Sequence, residues 1–330
     1  MVYGCPMDAT TKTAAAIFED QLTALELLFG LEFEGSTPGE RIASLGVHAK
    51  ADPALAASLK SFFSNPIHFA EKFKGSDGSL FNLVTKTLLA TAVRGVIHDY
   101  GPMGAPRRQH WMPFTYLKNF CLSGHKIKRQ GETRSVVIPG VNFAEGSVMD
   151  FETSDANFIH PKVNGMGFYE DGAEFFFSLV EGLYAQGRSQ EGNENKIDQT
   201  MVALFFIVQS VRNPRRGASF VHSTLSSIVD AVLANIDAVG PRMQARFLRS
   251  GSGQLPFTPY VPPFVDRFGS ERVYSSPVSL RVLFSLSSGE LDEESWAMAP
   301  FRYRRGVIRQ AQRRGGYIFG VHKDKIAGLI

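Results

Sequence analysis

Two stretches of this chain carry side chains able to do acid–base chemistry or recognise an anion. The first is Gln109-His110-Trp111-Met112-Pro113-Phe114-Thr115-Tyr116-Leu117-Lys118-Asn119-Phe120. A Gln-His pair, a proline, then Tyr116, Leu117 and Phe120 predict an entry turn into a short helix, with His110 just ahead of the turn. Imidazole titrates near neutral pH, so His110 is a candidate general base or substrate-binding group, oriented by Tyr116 or a backbone carbonyl. A histidine satisfied inside a core has the same local sequence. The second stretch ends an apolar run with Gln209-Ser210-Val211-Arg212-Asn213-Pro214. Gln209 and Arg212 are three apart, so a helix presents both on one face. Arg212 has two readings: complementing the C-terminal carbonyls of its own helix, or gripping a phosphate or carboxylate with both arms while Gln209 reads a neighbouring polar group. The expectation is that His110, Tyr116, Gln209 and Arg212 converge in one cleft.

A third group is purely cationic. Six arginines and no acid lie between Phe301 and Gly315. Arg305, Arg309 and Arg313 repeat every four residues, Arg302 stands one turn earlier, and Arg304 and Arg314 flank the stripe with Tyr303 interleaved. Guanidinium forks match phosphates, and an aromatic ring can stack on an unpaired base. Surface helices commonly mix charge signs, so a run without acids points to a polyanion, although a solvated face has the same composition. Arg242, Arg246 and Arg249 repeat the pattern on what reads as a second short helix, and Arg215-Arg216 add two cations.

Other chemistries lack their motifs. The chain has no G-x-x-x-x-G-K-[ST] phosphate loop, no G-x-S-x-G elbow and no H-E-x-x-H pair. Two cysteines, Cys5 and Cys121, cannot build a thiolate metal site, so no metal or cofactor is expected. Glu194-Asn195-Lys196 has an acid-x-lysine spacing but lies among Gly and Asn rather than on an apolar strand. Glu174 and Glu181 sit two turns apart on one helix face, where paired carboxylates could do acid–base work, although a solvated edge of an amphipathic helix has the same pattern.

The elements that must position these residues follow from hydrophobic period and punctuation. Ile17, Leu22, Leu25 and Leu28 predict a helix over Thr13 to Leu31. Asp52-Pro53 opens another through Phe63. Asp77 and Ser79 cap a longer one, Leu80 to Asp99, with Leu80, Leu83, Val84, Leu88 and Val93 on its inner stripe. Val136 to Ile138 reads as a strand stopped by Pro139 and Gly140. Helices follow over Ala173 to Tyr184, Lys196 to Val211 and Phe220 to Val239, with Arg242 to Leu248 as a short one. After the Pro-rich Pro256 to Pro263 come strands near Val273 and over Val278 to Leu286. A basic helix, Tyr303 to Arg314, and a last strand, Tyr317 to Val321, complete the pattern. The expected class is α+β, predominantly helical, with a few short strands in the C-terminal two-thirds. The Gly101-Pro102-Gly104 cluster divides a helical segment, residues 1–100, by a linker, 101–108, from a mixed α/β unit, 109–330.

Composition bounds the setting. A chain of 330 residues hides roughly 75% of its unfolded surface and needs no staples. Only two cysteines favour a reducing compartment, hence an intracellular, cytoplasmic location or a virion. Met1 to Asp8 shows no basic region leading into an apolar run, so a secretory leader is not expected. The most apolar stretch, Met201 to Val208, falls far short of the roughly 20 residues of a membrane span. Net charge is only +3, so attraction of a polyanion has to come from local clustering rather than global charge. The 27 phenylalanines suit a Phe-built core or an assembly surface.

The stretch around His110 resembles the His-Tyr-Val-Pro-x-x-Tyr-Leu-Arg-Asn-Phe signature of a widespread domain-of-unknown-function family. Further features follow in that family's order: Phe168-Tyr169, Glu181-Gly182, the apolar run from Phe205 to Pro214 with its Gln and Arg, Tyr274-Ser275-Ser276-Pro277-Val278, and Gly316-Tyr317-Ile318-Phe319. The resemblance covers about Gln109 to Val321. Where the family has Ser-Asp-x-Pro-Val, this chain has Ser275 in place of the Asp. The resemblance implies which residues cluster, not what they do.

Two functions are compatible with these observations. One is an enzyme or effector engaging a nucleic acid or nucleotide, with His110, Tyr116, Gln209 and Arg212 as its site and Arg302, Arg304, Arg305, Arg309 and Arg313 holding phosphate. The other is a non-catalytic RNA-binding assembly protein, such as a viral coat or nucleocapsid subunit, that forms a homo-oligomer.

Overall fold

The computed structural model describes residues 12–73, 78–98, 109–110, 112–120, 128–130, 133–135, 137–152, 159–160, 170–188, 195–212, 224–251, 253–258 and 264–320. Five helices open it: α1 (Ala14–Phe29), α2 (Pro38–Ala51), α3 (Pro53–Phe62), α4 (Pro66–Lys72) and α5 (Leu80–Val96). α2, α3 and α4 start the same way, with proline at the first turn and a capping side chain just before it: Thr37, Asp52 and Asn65. α2 and α4, which the apolar period alone does not reveal, are set by these caps; Thr37 and Glu40 form a full capping box. The buried stripe of α1 is Ala14, Phe18, Leu22 and Leu25, so Leu28 faces solvent rather than the core.

Helix α5 is the central post. It is buried almost all round, and the hydroxyls of Thr85, Thr87 and Thr91 donate to carbonyls one turn back at 2.7–2.8 Å. That bonding lets polar side chains sit in the core at little cost. Around it pack α7 (Asp171–Arg188), α8 (Lys196–Arg212) and α9 (Leu225–Val239). The N-terminal helices dock on α9 through half-buried polar contacts: Asp237 accepts the Ala14 amide at 2.6 Å, and Asp230 accepts the Thr37 hydroxyl at 2.7 Å and the Gly39 amide at 2.8 Å. One hydrophobic core therefore runs from Ala14 to Phe319. The linker expected at residues 101–108 lies outside the described residues, and the segments on either side of it share this core.

Between α5 and α7 lie β1 (Gln109–His110), α6 (Phe114–Leu117) with a 3-10 turn at Lys118–Phe120, β2 (Lys128–Gln130), β3 (Thr133–Ser135), β4 (Val137–Asn142), β5 (Ser147–Glu152) and β6 (Ile159–His160). After α9 come β7 (Gln244–Arg249), β8 (Phe264–Phe268), β9 (Glu271–Pro277), β10 (Val282–Ser287), α10 (Glu293–Arg314) and β11 (Tyr317–Phe319). Two antiparallel sheets result, ordered β7-β10-β9-β8 and β11-β4-β5, beside the small pairs β1-β6 and β2-β3. The class is the expected one, predominantly helical α+β.

Three local expectations are corrected. Arg242 to Leu248 is not a helix: Met243, Ala245 and Phe247 are buried at alternate positions, a period of two, and residues 244–249 form strand β7 against β10. β4 continues through Pro139 and Gly140 to Asn142, because Gly140 has no Cβ to collide with the Ile318 carbonyl on β11. Val278 to Arg281 form a turn, so the strand there starts at Val282.

The four-stranded sheet is covered on both faces. Val282, Phe284 and Leu286 of β10 join the main core beneath α8 and α9. Leu283 points the other way, into a second cluster with Tyr303, Val307, Ile308 and Ala311 of α10. This sandwich fixes which face of α10 is left for solvent.

Candidate nucleic-acid interface

Helix α10 begins ten residues before the expected Tyr303. Asp292 caps it by accepting the Ser295 amide at 2.7 Å, and Pro300 sits inside it. Its ends obey dipole electrostatics: Glu293 and Glu294 lie in the first turn, Arg313 and Arg314 in the last. The separation of acids from arginines in the sequence is thus partly helix-end chemistry. Arg305 and Arg309, in the middle, have no such explanation.

The buried side of α10 comprises Trp296, Ala299, Pro300, Tyr303, Val307, Ile308 and Ala311. Arg305, Arg309 and Arg313 each follow a buried residue (Tyr303, Val307, Ala311) by two positions, about 200° round the helix. All three, and Arg314, are exposed and have no hydrogen-bond or ion-pair partner among the described residues. At 1.5 Å per residue, Arg305 to Arg313 spans about 12 Å, with cations roughly every 6 Å.

The other two arginines of the stripe are engaged with the fold. Arg302 donates to the Arg267 carbonyl at 3.0 Å, lies 3.6 Å from Asp266 and stacks 4.3 Å from the Phe268 ring centroid. Arg304 is half-buried, its guanidinium against Gly253. Tyr303, expected as a stacking platform, is 2% exposed and donates to the Pro256 carbonyl at 2.8 Å. Burial pushes its phenol far above the ordinary range. Its ring cannot meet a base without unfolding the helix packing.

Outside α10 the arginines divide similarly. Arg246, now on β7, makes a double hydrogen bond to Glu293 at 2.7 Å and lies over the Trp296 ring, so it anchors the start of α10. Arg242 and Arg249 are exposed. Arg215 and Arg216 lie outside the described residues.

Of the set His110, Tyr116, Gln209 and Arg212, the last three have described side chains, and these are spread along the helical core. His110 pairs through its backbone with Ile159 at the β1-β6 ladder; its side chain lies outside the described residues. Tyr116 is enclosed by Phe120, Tyr184, Phe205, Phe206 and Phe257, with ring centroids 5.0–6.1 Å away. Its hydroxyl is buried with no hydrogen-bond partner among the described residues. Desolvation, helped by the nearby Tyr303 and Tyr184, holds the phenol protonated. Arg212 is 4% exposed, 2.6 Å from Glu181 on α7, with Phe177 under its guanidinium at 4.4 Å. Gln209 is half-buried on the same helix. Tyr116 lies against Phe205 and Phe206, while Arg212 is some 10 Å further along α8 at 1.5 Å per residue. Glu181, which reads from sequence as a solvated edge, is thus the counter-ion of a buried arginine. Ser275 is buried and shares a 2.8 Å hydrogen bond with Ser285 on the α10 side of the sheet.

Comparison with known proteins adds no match. No family model matches the chain, and no curated protein or solved structure does either. Among the described residues, no group of three or more His, Cys, Asp or Glu is placed to hold a metal ion, and no helix is long and apolar enough to cross a membrane.

The sequence reading missed which arginines the sheet would take. Arg302, although exposed, is partly engaged by β8 because Asp266 and Phe268 alternate onto the α10 side of that strand, and no spacing within α10 reveals this. It also missed Ser276, a serine among the inward-facing residues of β9 and β10.

Proposed function

We propose that the protein binds RNA or another phosphate polymer through the solvent face of α10. One observation carries this reading: Arg305, Arg309, Arg313 and Arg314 stand exposed on a rigid helix without a counter-ion among the described residues. Concentrated, unneutralised guanidinium charge raises the local density of anions and releases counterions when phosphates replace them. The free arginines contact phosphate rather than bases, so the binding is independent of sequence.

At two of the four motif residues, Tyr116 and Arg212, the surroundings favour a structural role over catalysis. Arg212 is paired with Glu181 inside the core, and the Tyr116 hydroxyl is sealed among aromatic rings. An assembling form of the same reading, a coat or nucleocapsid subunit, draws support from Leu27, Leu28 and Val47, which are 61–82% exposed on α1 and α2. Leu27 and Leu28 are neighbours in sequence, and apolar side chains open to water are the material of a partner surface.

Size-exclusion chromatography at low salt, read at 260 and 280 nm, tests both forms. Nucleic acid that co-elutes at 50 mM salt and is stripped at 1 M supports RNA binding. Large loaded particles support the assembling form. A protein free of nucleic acid that also fails to retard added RNA refutes the proposal.

A further inference from the structure

A cavity of about 80 Å³ lies between the helical layer and the four-stranded sheet, on the face opposite α10. Phe206 and Ile207 of α8 and Val239 of α9 form one wall, and Phe284 and Leu286 of β10 form the other. Ala238 and Val265, both exposed, mark where it opens.

Among the described residues four polar side chains line this space, and three are already engaged. Ser210 donates to the Ile207 carbonyl at 2.7 Å and accepts from Asn235 Nδ2 at 3.0 Å, while the Tyr274 hydroxyl reaches the Ala238 carbonyl at 3.5 Å. Ser276 is the fourth. It is 1% exposed, and its Oγ has no hydrogen-bond partner among the described residues. Register explains its position: Ser276 pairs with Phe284, as Tyr274 does with Leu286, so β9 turns it inward toward α8. A valine or leucine there would fill the space. Serine leaves both a void and an unspent donor, and a buried hydroxyl without a partner is costly to keep.

We propose that this cavity is a binding site for a small neutral amphiphile whose carbonyl or hydroxyl hydrogen-bonds to Ser276 Oγ. Apolar cavities near 150 Å³ hold benzene, so about half that volume encloses about three carbons, and the open side lets the rest of a five-carbon ring project past Ala238 and Val265. Among the described residues no acid or base lines the chamber, which disfavours a charged head group at the inner end. The site is independent of the α10 face, and replacing Arg305, Arg309 and Arg313 leaves it intact.

Cyclopentanone is a suitable probe, with cyclopentane as its apolar match, followed by methyl-detected NMR of the whole chain. Saturable shifts are expected at Ile207, Val239, Val265 and Leu286. Ser276→Ala is expected to weaken cyclopentanone about tenfold, the equivalent of one neutral hydrogen bond, and to leave cyclopentane unchanged. Ala238→Phe, at an exposed position that spares the core, is expected to close the opening and abolish both. The proposal is overturned by the absence of saturable shifts, by shifts scattered over other methyls, by equal cyclopentanone affinity in wild type and Ser276→Ala, or by binding that survives Ala238→Phe.

Discussion

Replacing Arg305, Arg309 and Arg313 together by alanine removes three exposed cations that hold nothing else in place among the described residues. The fold should therefore survive, since alanine suits a helix at least as well as arginine. The binding consequence is calculable. Each phosphate contact on a single strand contributes about 0.7 to the slope of log K against log salt, so losing three lowers the slope by about 2. Between 1 M and 0.15 M salt this amounts to about 1.7 log units, or roughly fiftyfold weaker binding at 0.15 M. Fluorescence anisotropy of a labelled single-stranded RNA, titrated from 50 to 400 mM KCl, reads both quantities. Lys50→Ala/Lys60→Ala, which removes exposed cations from α2 and α3, serves as the matched control and should leave the slope unchanged. Wild-type binding that is flat with salt, or an identical slope in the triple variant, refutes the reasoning, because counterion release cannot be hidden by compensation elsewhere.

Three further outcomes follow from the same geometry. Tyr303→Phe strands the Pro256 carbonyl in the core and should cost about 1–2 kcal/mol by urea denaturation, with RNA affinity unchanged because the ring is not presented to solvent. Glu181→Ala leaves the buried Arg212 without its carboxylate and should cost about 2–3 kcal/mol, seen as a lower denaturation midpoint; an unchanged midpoint would show the pair to be idle. Glu26 opposes a desolvation penalty with the Phe33 amide and the Arg41 guanidinium, and the net effect holds its carboxyl below its ordinary value of 4.5. A depressed carboxyl stabilises the fold above its unfolded pKa and stops doing so as pH falls through the folded one. Melting temperature should thus hold above about pH 5 and drop below 4.5, and Glu26→Gln should blunt that drop.

Helices with a strong apolar period were legible without coordinates. α5 shows Leu80, Leu83, Val84, Leu88 and Val93 in the sequence, and all five are buried. α2 was not legible in the same way, because its stripe of Ile42, Leu45 and Ala49 is thin and its start rests on the Thr37-Glu40 box. β7 was misread because three arginines at helix-like spacing obscured the period-two set Met243, Ala245 and Phe247. The failure is physical: local patterns report which face is apolar, whereas the choice between helix and strand there was made by β10, the partner that pairs with Gln244 to Arg249.

By itself, the sequence determined that the chain is a mostly helical α+β protein with a cationic C-terminal helix, since both follow from hydrophobic period and charge order along the chain. Only the tertiary structure decided which cations remain available. The α10 side of β8, with Asp266 and Phe268, takes Arg302; Glu293 takes Arg246; Glu181 takes Arg212; and Arg305, Arg309 and Arg313 are left to the solvent. A guanidinium is neutralised by whatever carboxylate lies within a few ångströms, and the residues that meet there are brought together by packing across long stretches of chain, not by neighbourhood in sequence.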